Sequence, residues 1–352
     1  MELVRHLSSR RALLAALSAV PAAGLLRPAT ARAATPGLPG YLPIPSGSVG
    51  PALNADGYHV GRIRGDLHWV TDGFYQAMFL STREGVVLVD APPTIGGNLQ
   101  RAIDSATLPA GRPNRVTHLV YSHSHADHIG AAALFGRGVE RVAHVETRRL
   151  LREAGDDNRP LPTVTFDDRY ELRVGGERLD LSYHGPNHSP DNIVIHAPRQ
   201  STLMVVDVLY PGWVPFRNLA VSQDVAGWKR MHAVIMGLPW TTFVGGHLGR
   251  LGTRADGDVQ RSYVADLERS ARATIASLDP TPFFDRYGPE GNSWAIFKAY
   301  LDAAAAQAAE PVVREYAGRL GAVDVFTVDN AFSMLEYLRI DAGLLGPFGI
   351  RP

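Results

Sequence analysis

From Gly61 onward the chain alternates between short apolar runs and polar breaks marked by Gly, Pro, Asn and Asp. Gly61–Val70 alternates loosely and predicts a strand. Gln76–Ser81 and Gly85–Asp90 predict two more, joined by the turn Thr82-Arg83-Glu84. Ile95–Ala106 predicts a helix, and Val116–Tyr121 a buried strand. Beyond it, Ile129–Phe135 opens a helix, Val142–His144 is a short strand and Glu146–Glu153 a helix. Strand-like runs follow at Arg178–Ser182, Ile193–His196, Ser201–Val206 and Thr241–Val244, with a helix at Val225–Met236. Strands interleaved with helices predict an α/β layered domain over residues 57–252. After Gly252 the composition shifts to Ala, Arg and Leu. Residues 253–352 predict a helical extension: Ala255–Leu278, a break at Asp279–Pro282, Ser293–Ala309 with Trp294, Phe297, Tyr300 and Leu301 at helical spacing, then Pro311–Leu320 and Val325–Ile340.

The first residues follow a different pattern. Arg5, Arg10 and Arg11 precede an apolar run, Ala12–Leu26, too short to span a bilayer comfortably. Ala31-Arg32-Ala33 then fits a small-x-small cleavage site. Residues 1–33 therefore read as a signal peptide, and Ser9-Arg10-Arg11-Ala12-Leu13-Leu14 is similar to the twin-arginine export motif. The expectation is an exported protein, periplasmic or extracellular, with no stable membrane insertion after cleavage. Residues 34–56, rich in Pro and Gly, predict a linker or a strap lying on the domain.

Composition narrows the chemistry. The 352 residues carry no net formal charge. Without residues 1–33 there remain 30 basic and 34 acidic side chains, which disfavours nucleic acid as a partner. There is no cysteine, so neither disulfides nor thiolate metal ligands exist, and several of the 13 histidines call for another explanation.

That explanation lies in Val116–Gly130, where a buried strand breaks into His123-Ser-His125-Ala-Asp127-His128. His123 and His125, two apart, can point the same way from an extended loop, while Asp127 and His128 diverge. One metal ion can be served by the first pair and a second by the other. Imidazole and carboxylate donors without sulfur suit zinc, with iron, manganese or cobalt as alternatives. Asp207 caps the apolar run Ser201–Val206, and a buried carboxylate there needs a cationic partner. Gly185 and Pro186 make a turn that can present His188, and Gly245-Gly246 let the backbone approach closely before His247. Asp90 closes the run VVLVD, where a carboxylate is often a turn former.

HxHxDH at a strand end resembles the hallmark of the metallo-β-lactamase superfamily, and the later candidates occur in that family's order. The resemblance implies an αββα sandwich. It also implies His123, His125 and His188 on one metal, Asp127, His128 and His247 on the other, and Asp207 bridging both. It implies Asp90 as support for a ligating imidazole. Two zinc ions would then hold a hydroxide that attacks a carbonyl of a small ester, lactone, thioester or lactam, with Asp127 orienting it. The aromatic, proline-rich loop Leu209–Phe216 places Trp213 and Phe216 as candidate pocket lining or as packing. His184 is assigned behind the ligands or to the core. A di-iron oxidoreductase is the redox alternative, although such relatives carry Glu where this chain has His125. A non-catalytic binding protein on the same scaffold is the third class, and the C-terminal helices can cap the pocket, pack on the back of the sheet or make a homodimer contact.

Overall fold

The computed structural model describes residues 39–348, so the proposed signal segment and the start of the linker lie outside the described residues. Twelve strands form two sheets among the described residues. The first holds β1 (His59–Arg64), β2 (Leu67–Thr71), β3 (Gln76–Ser81), β4 (Val86–Val89), β5 (Val116–Val120), β6 (Glu140–His144) and β7 (Val164–Phe166), in that order. The second holds β8 (Arg169–Val174), β9 (Glu177–Tyr183), β10 (Ile193–Ala197), β11 (Thr202–Met204) and β12 (Thr242–Val244), in order β12-β11-β10-β9-β8. Strands β4 to β7 run parallel, with α1 (Asn98–Thr107) and α3 (Val145–Ala154) among their connections.

The period of two along each strand sorts its side chains between layers. Val87 and Val89 of β4 enter the core between the sheets, with Met78, Leu80, Ile193, Ile195 and Met204. Val86 and Leu88 face the other way, onto Leu99 and Ile103 of α1. On the far side Val194, Leu203 and Val205 pack against Trp228 and Ile235 of α5 (Val225–Gly237). Three apolar cores therefore separate four layers, helices–sheet–sheet–helices, as expected. The C-terminal helices α6 (Arg254–Ser277), α7 (Thr281–Tyr287), α8 (Ser293–Tyr316) and α9 (Val323–Glu336) extend the last core through Tyr263, Leu267, Tyr300, Ala308 and Leu335.

Several expectations need correcting. Gly61–Val70 is not one strand but most of the β1–β2 hairpin, which turns at Gly65-Asp66 with Gly65 at φ +57°. The helix expected at Ile129–Phe135 is instead α2 (Ala126–Ile129), which starts inside the histidine loop, followed by a separate 3₁₀ turn at Ala132–Phe135. The Ala131 N–H donates to the Ala91 carbonyl and the Ala91 N–H to the His128 carbonyl, tying this corner to the end of β4 instead of continuing a helix. β7 and β8 were not anticipated, although Tyr170, Leu172 and Val174 alternate with charged residues along β8. Pro311 does not divide two helices. It sits exposed inside α8, whose buried face runs on past it through Ala304, Ala308, Val312 and Tyr316. Tertiary burial of that face outweighs one lost helical hydrogen bond. Residues 41–56 form a strap: Leu42 N–H donates to Asp324, and Trp213 Nε1 donates to the Ser48 carbonyl at 2.9 Å. No helix among the described residues is long and apolar enough to cross a membrane.

Candidate metal centre

Strand ends and the loops after them supply the site. Beyond β5 the chain delivers fully buried His123, half-buried His125 and Asp127, and fully buried His128. The loop before β10 holds His188 through its own amides: Asn187 Oδ1 accepts the His188 N–H at 2.8 Å and an Asn192 amide hydrogen at 3.0 Å. Asn192 also donates to the Val206 carbonyl at 2.9 Å, tying this loop to the segment that ends in Asp207. Asp207 sits at φ +62°, and its carbonyl accepts the Trp228 indole N–H at 3.0 Å. His247 follows Gly246 at φ +85°, where a Cβ would lie 2.6 Å from Val206 Cγ1, so only glycine lets the chain pass.

All seven candidate donors converge in two groups, His123, His125, His188 and Asp207, and Asp127, His128 and His247. His188 Nε2 lies 3.0 Å from His125 Nδ1 and 3.1 Å from Asp207 Oδ2, with His123 Nε2 3.6 Å from the same oxygen. In the second group His128 Nε2 is 3.1 Å from His247 Nε2 and 3.5 Å from Asp127 Oδ2. Asp207 also reaches this group, with Oδ1 2.9 Å from His247 and Oδ2 3.2 Å from His128. Donors spaced ~3.3 Å apart are what a tetrahedral ion with bonds of ~2.0–2.1 Å requires. His123 Nε2 is buried without a hydrogen-bond partner, as expected of an atom kept for a cation. The residues therefore fit divalent metal ions.

The electrostatics of His123 and His188 agree with that fit; His128 is the exception, since a cation there must displace its proton. Burial pushes His123 well below the usual imidazole range and His188 down to about 4, keeping both neutral as ligands must be. Burial opposes ionisation of Asp207, but His188, His247 and His128 outweigh it and hold the carboxyl well below its usual range. His128 is likewise opposed by burial, yet Asp207, Asp127 and Asp90 raise it to about 9. Asp90 is fully buried at φ +61°, accepts the Ser122 N–H at 2.8 Å, and is raised to about 6 by burial.

The donors open onto a cavity of about 530 Å³, lined also by Phe74, Tyr75, Tyr210, Phe216, Val221 and Leu248. Phe216 lines it. Trp213 does not: it pairs with Gly321 and packs on that glycine, where a Cβ would come within 2.5 Å of the indole. His184 is neither behind the ligands nor in the core but exposed beside Ser182.

Sequence reasoning missed several residues. Gln76, wholly buried, donates to the carbonyls of Leu248 and Arg250 at 2.7 and 3.0 Å and so anchors the His247 loop. A polar side chain heading an apolar strand was its signal. Tyr210 donates to Asp207 Oδ1 at 3.1 Å, and the Tyr75 ring lies 4.7 Å from that of His247. Gln260 of α6 is buried behind the site. Its Oε1 accepts the Tyr210 N–H at 2.7 Å, and its amide lies 2.9 Å from His232 Nε2. Nothing local in the sequence marks Tyr75 or Gln260.

Opposed sheets inside helical layers, with imidazole and carboxylate donors gathered at one edge, define a metal-binding αββα protein. The chain belongs to the metallo-beta-lactamase superfamily, whose family model matches residues 70–273. It is 26% identical over 242 residues to the 2,4-dinitroanisole O-demethylase subunit alpha of Nocardioides sp. (strain JS1661), a match covering 67% of this chain and 68% of that protein. It is 27% identical over 128 residues to metallo-beta-lactamase IND-1 of Chryseobacterium indologenes, covering 36% of this chain and 51% of that one. The chain thus matches about half the length of that β-lactamase. Among solved structures it resembles the metallo-beta-lactamase from Pontibacter korlensis, with a TM-score of 0.49 and 23% identity over 58% of this chain and 97% of the other.

Proposed function

We propose that the protein is an exported hydrolase that uses two zinc ions to cleave a small, uncharged carbonyl compound. The observation that supports this best is the convergence of seven N and O donors in two adjoining groups, with Asp207 within reach of both. Bound there, the ions would supply Lewis acidity and a water made acidic enough to attack at neutral pH. His123, His125 and His188 would hold one ion, Asp127, His128 and His247 the other, and Asp207 would face both. Asp127, half-buried at the cavity edge, accepts and returns a proton beside the reacting carbon. Phe74, Phe216, Val221 and Leu248 would give the bound substrate an apolar surface to rest on.

Among the described residues no Lys or Arg lines this cavity. That favours a neutral ester, lactone or thioester over substrates carrying an obligatory carboxylate, such as β-lactam antibiotics. A second reading has its own support. The relative matched over two thirds of its length is an O-demethylase subunit, so an aryl methyl ether is also a candidate, acted on together with a second subunit. Elemental analysis paired with turnover of ester, lactone, thioester, lactam and 2,4-dinitroanisole panels tests both readings, on wild type and on Asp127→Ala. Two equivalents of zinc and activity lost in the variant support hydrolysis. Two irons and no zinc would sink it. Release of methanol with 2,4-dinitrophenolate marks the second reading.

A further inference from the structure

Between Pro215 and Ser222 the backbone does something that its sequence does not favour. Asn218, Leu219 and Ala220 have φ/ψ of 56°/46°, 53°/51° and 62°/36°, and Val221 has φ 52°. This segment, α4 (Arg217–Val221), is one left-handed turn without a glycine. L-residues resist that hand because Cβ crowds the following carbonyl, and of the four only Asn218 visits the region readily. Such a turn persists only where its surroundings over-determine it, and such places cluster at ligand clamps.

One side chain of the C-terminal extension holds the turn most directly. Asn330 of α9 is wholly buried. Its Oδ1 accepts the Leu219 N–H at 2.7 Å, and its Nδ2 donates to the Pro215 carbonyl at 3.0 Å. A single carboxamide thus grips the turn at its middle and the chain just before its start. Tyr263 Oη stands 3.3 Å from Nδ2, and Arg217 pairs with Asp329 of the same helix at 3.0 Å. The turn's inner side is a wall of the metal cavity: Phe216, Ala220 and Val221 face the space shared with His125, His188 and His247. Two residues further on, the Gln223 N–H donates to the carbonyl of His188. The C-terminal helices therefore reach the metal cavity through this turn.

We propose that the left-handed turn selects the substrate by its apolar group, and that Asn330 is the positioning residue that sets it. This rests on the reading of the cavity as a substrate site and names its specificity: an aliphatic or aromatic group without charge, seated on Phe216 and Val221. Arg217 and Asn218, on the turn's other side, face a groove between α8 and α9 and leave the wall itself apolar.

Paired acyl hydroxamates, which chelate a metal without being turned over, test the wall apart from the chemistry. Titration calorimetry on the zinc-loaded full chain would compare octanohydroxamate with acetohydroxamate. The wild type is expected to prefer the longer acyl chain by about tenfold or more. Asn330→Ala should cut that ratio by about fivefold and speed hydrogen exchange at the Leu219 amide, with zinc content retained. Val221→Asp, at an exposed position that does not threaten folding, should cut the ratio at least as far. A wild-type ratio near one, or a ratio that neither variant changes, overturns the proposal. Hydroxamate ratios that behave as expected in a protein that hydrolyses no ester, lactone, thioester or lactam would sink the hydrolase reading and leave the wall standing.

Discussion

Replacing Gln260 with Met probes how the C-terminal helices support the metal centre. Met is close to Gln in volume and shape, so the change removes polarity and leaves little cavity. Three buried groups lose their partner: the Tyr210 N–H at 2.7 Å, the Val208 carbonyl at 2.5 Å and His232 Nε2 at 2.9 Å. An unsatisfied buried group costs about 1–3 kcal/mol, and the sum is reduced because neighbours relax together. A loss of about 4 kcal/mol follows, a large part of a typical domain's ~5–15 kcal/mol. Urea unfolding followed by tryptophan fluorescence measures it, since Trp228 is fully buried and donates to the Asp207 carbonyl. Tyr210 also steadies Asp207 Oδ1, so zinc affinity should fall by about tenfold, or ~1.4 kcal/mol. A change under about 1 kcal/mol in both chelated and zinc-loaded protein would refute the argument that this amide holds the Asp207–Tyr210 segment.

Gly246→Ala should destabilise the fold by about 1–3 kcal/mol and weaken metal binding by the Asp127, His128 and His247 group, because φ is +85° and the new Cβ meets Val206. Thermal unfolding and a zinc titration would show it, and a wild-type Tm in the variant would contradict it. Chelation should lower Tm, since ions present at about 1,000 times their Kd contribute ~4 kcal/mol to the native state alone. An unchanged melting curve would mean that the donors hold no metal. His232 is fully buried and held down to about 4 by burial, against ~6.5 when unfolded. The unfolded chain therefore binds the extra proton, so stability falls as pH drops from about 6.5 toward 4 and this contribution then levels off. The loss is at most about 3 kcal/mol. His232→Gln should flatten that interval relative to wild type in chelator, and parallel curves would contradict the assignment.

Much of the centre was legible because donor chemistry belongs to side chains and their local spacing. HxHxDH after a buried strand needs no tertiary information to read as metal-competent, and Asp207 capping an apolar run declares a need for positive charge. The short, mostly apolar runs of β3, β4 and β10 were equally local, and so was their burial on both faces. What shapes the cavity was not local. Phe74, Tyr75 and Val221 line it only because loops far apart in sequence meet there, and nothing nearby distinguishes lining Phe216 from packed Trp213. Pro311 stays helical because a buried face carries α8 past it. The turn at Arg217–Val221 breaks its own backbone preferences, and the carboxamide that permits it lies more than a hundred residues away. Local patterning determined which atoms can bind a cation. Long-range packing, which can outweigh any single residue's preference, decided what surrounds them.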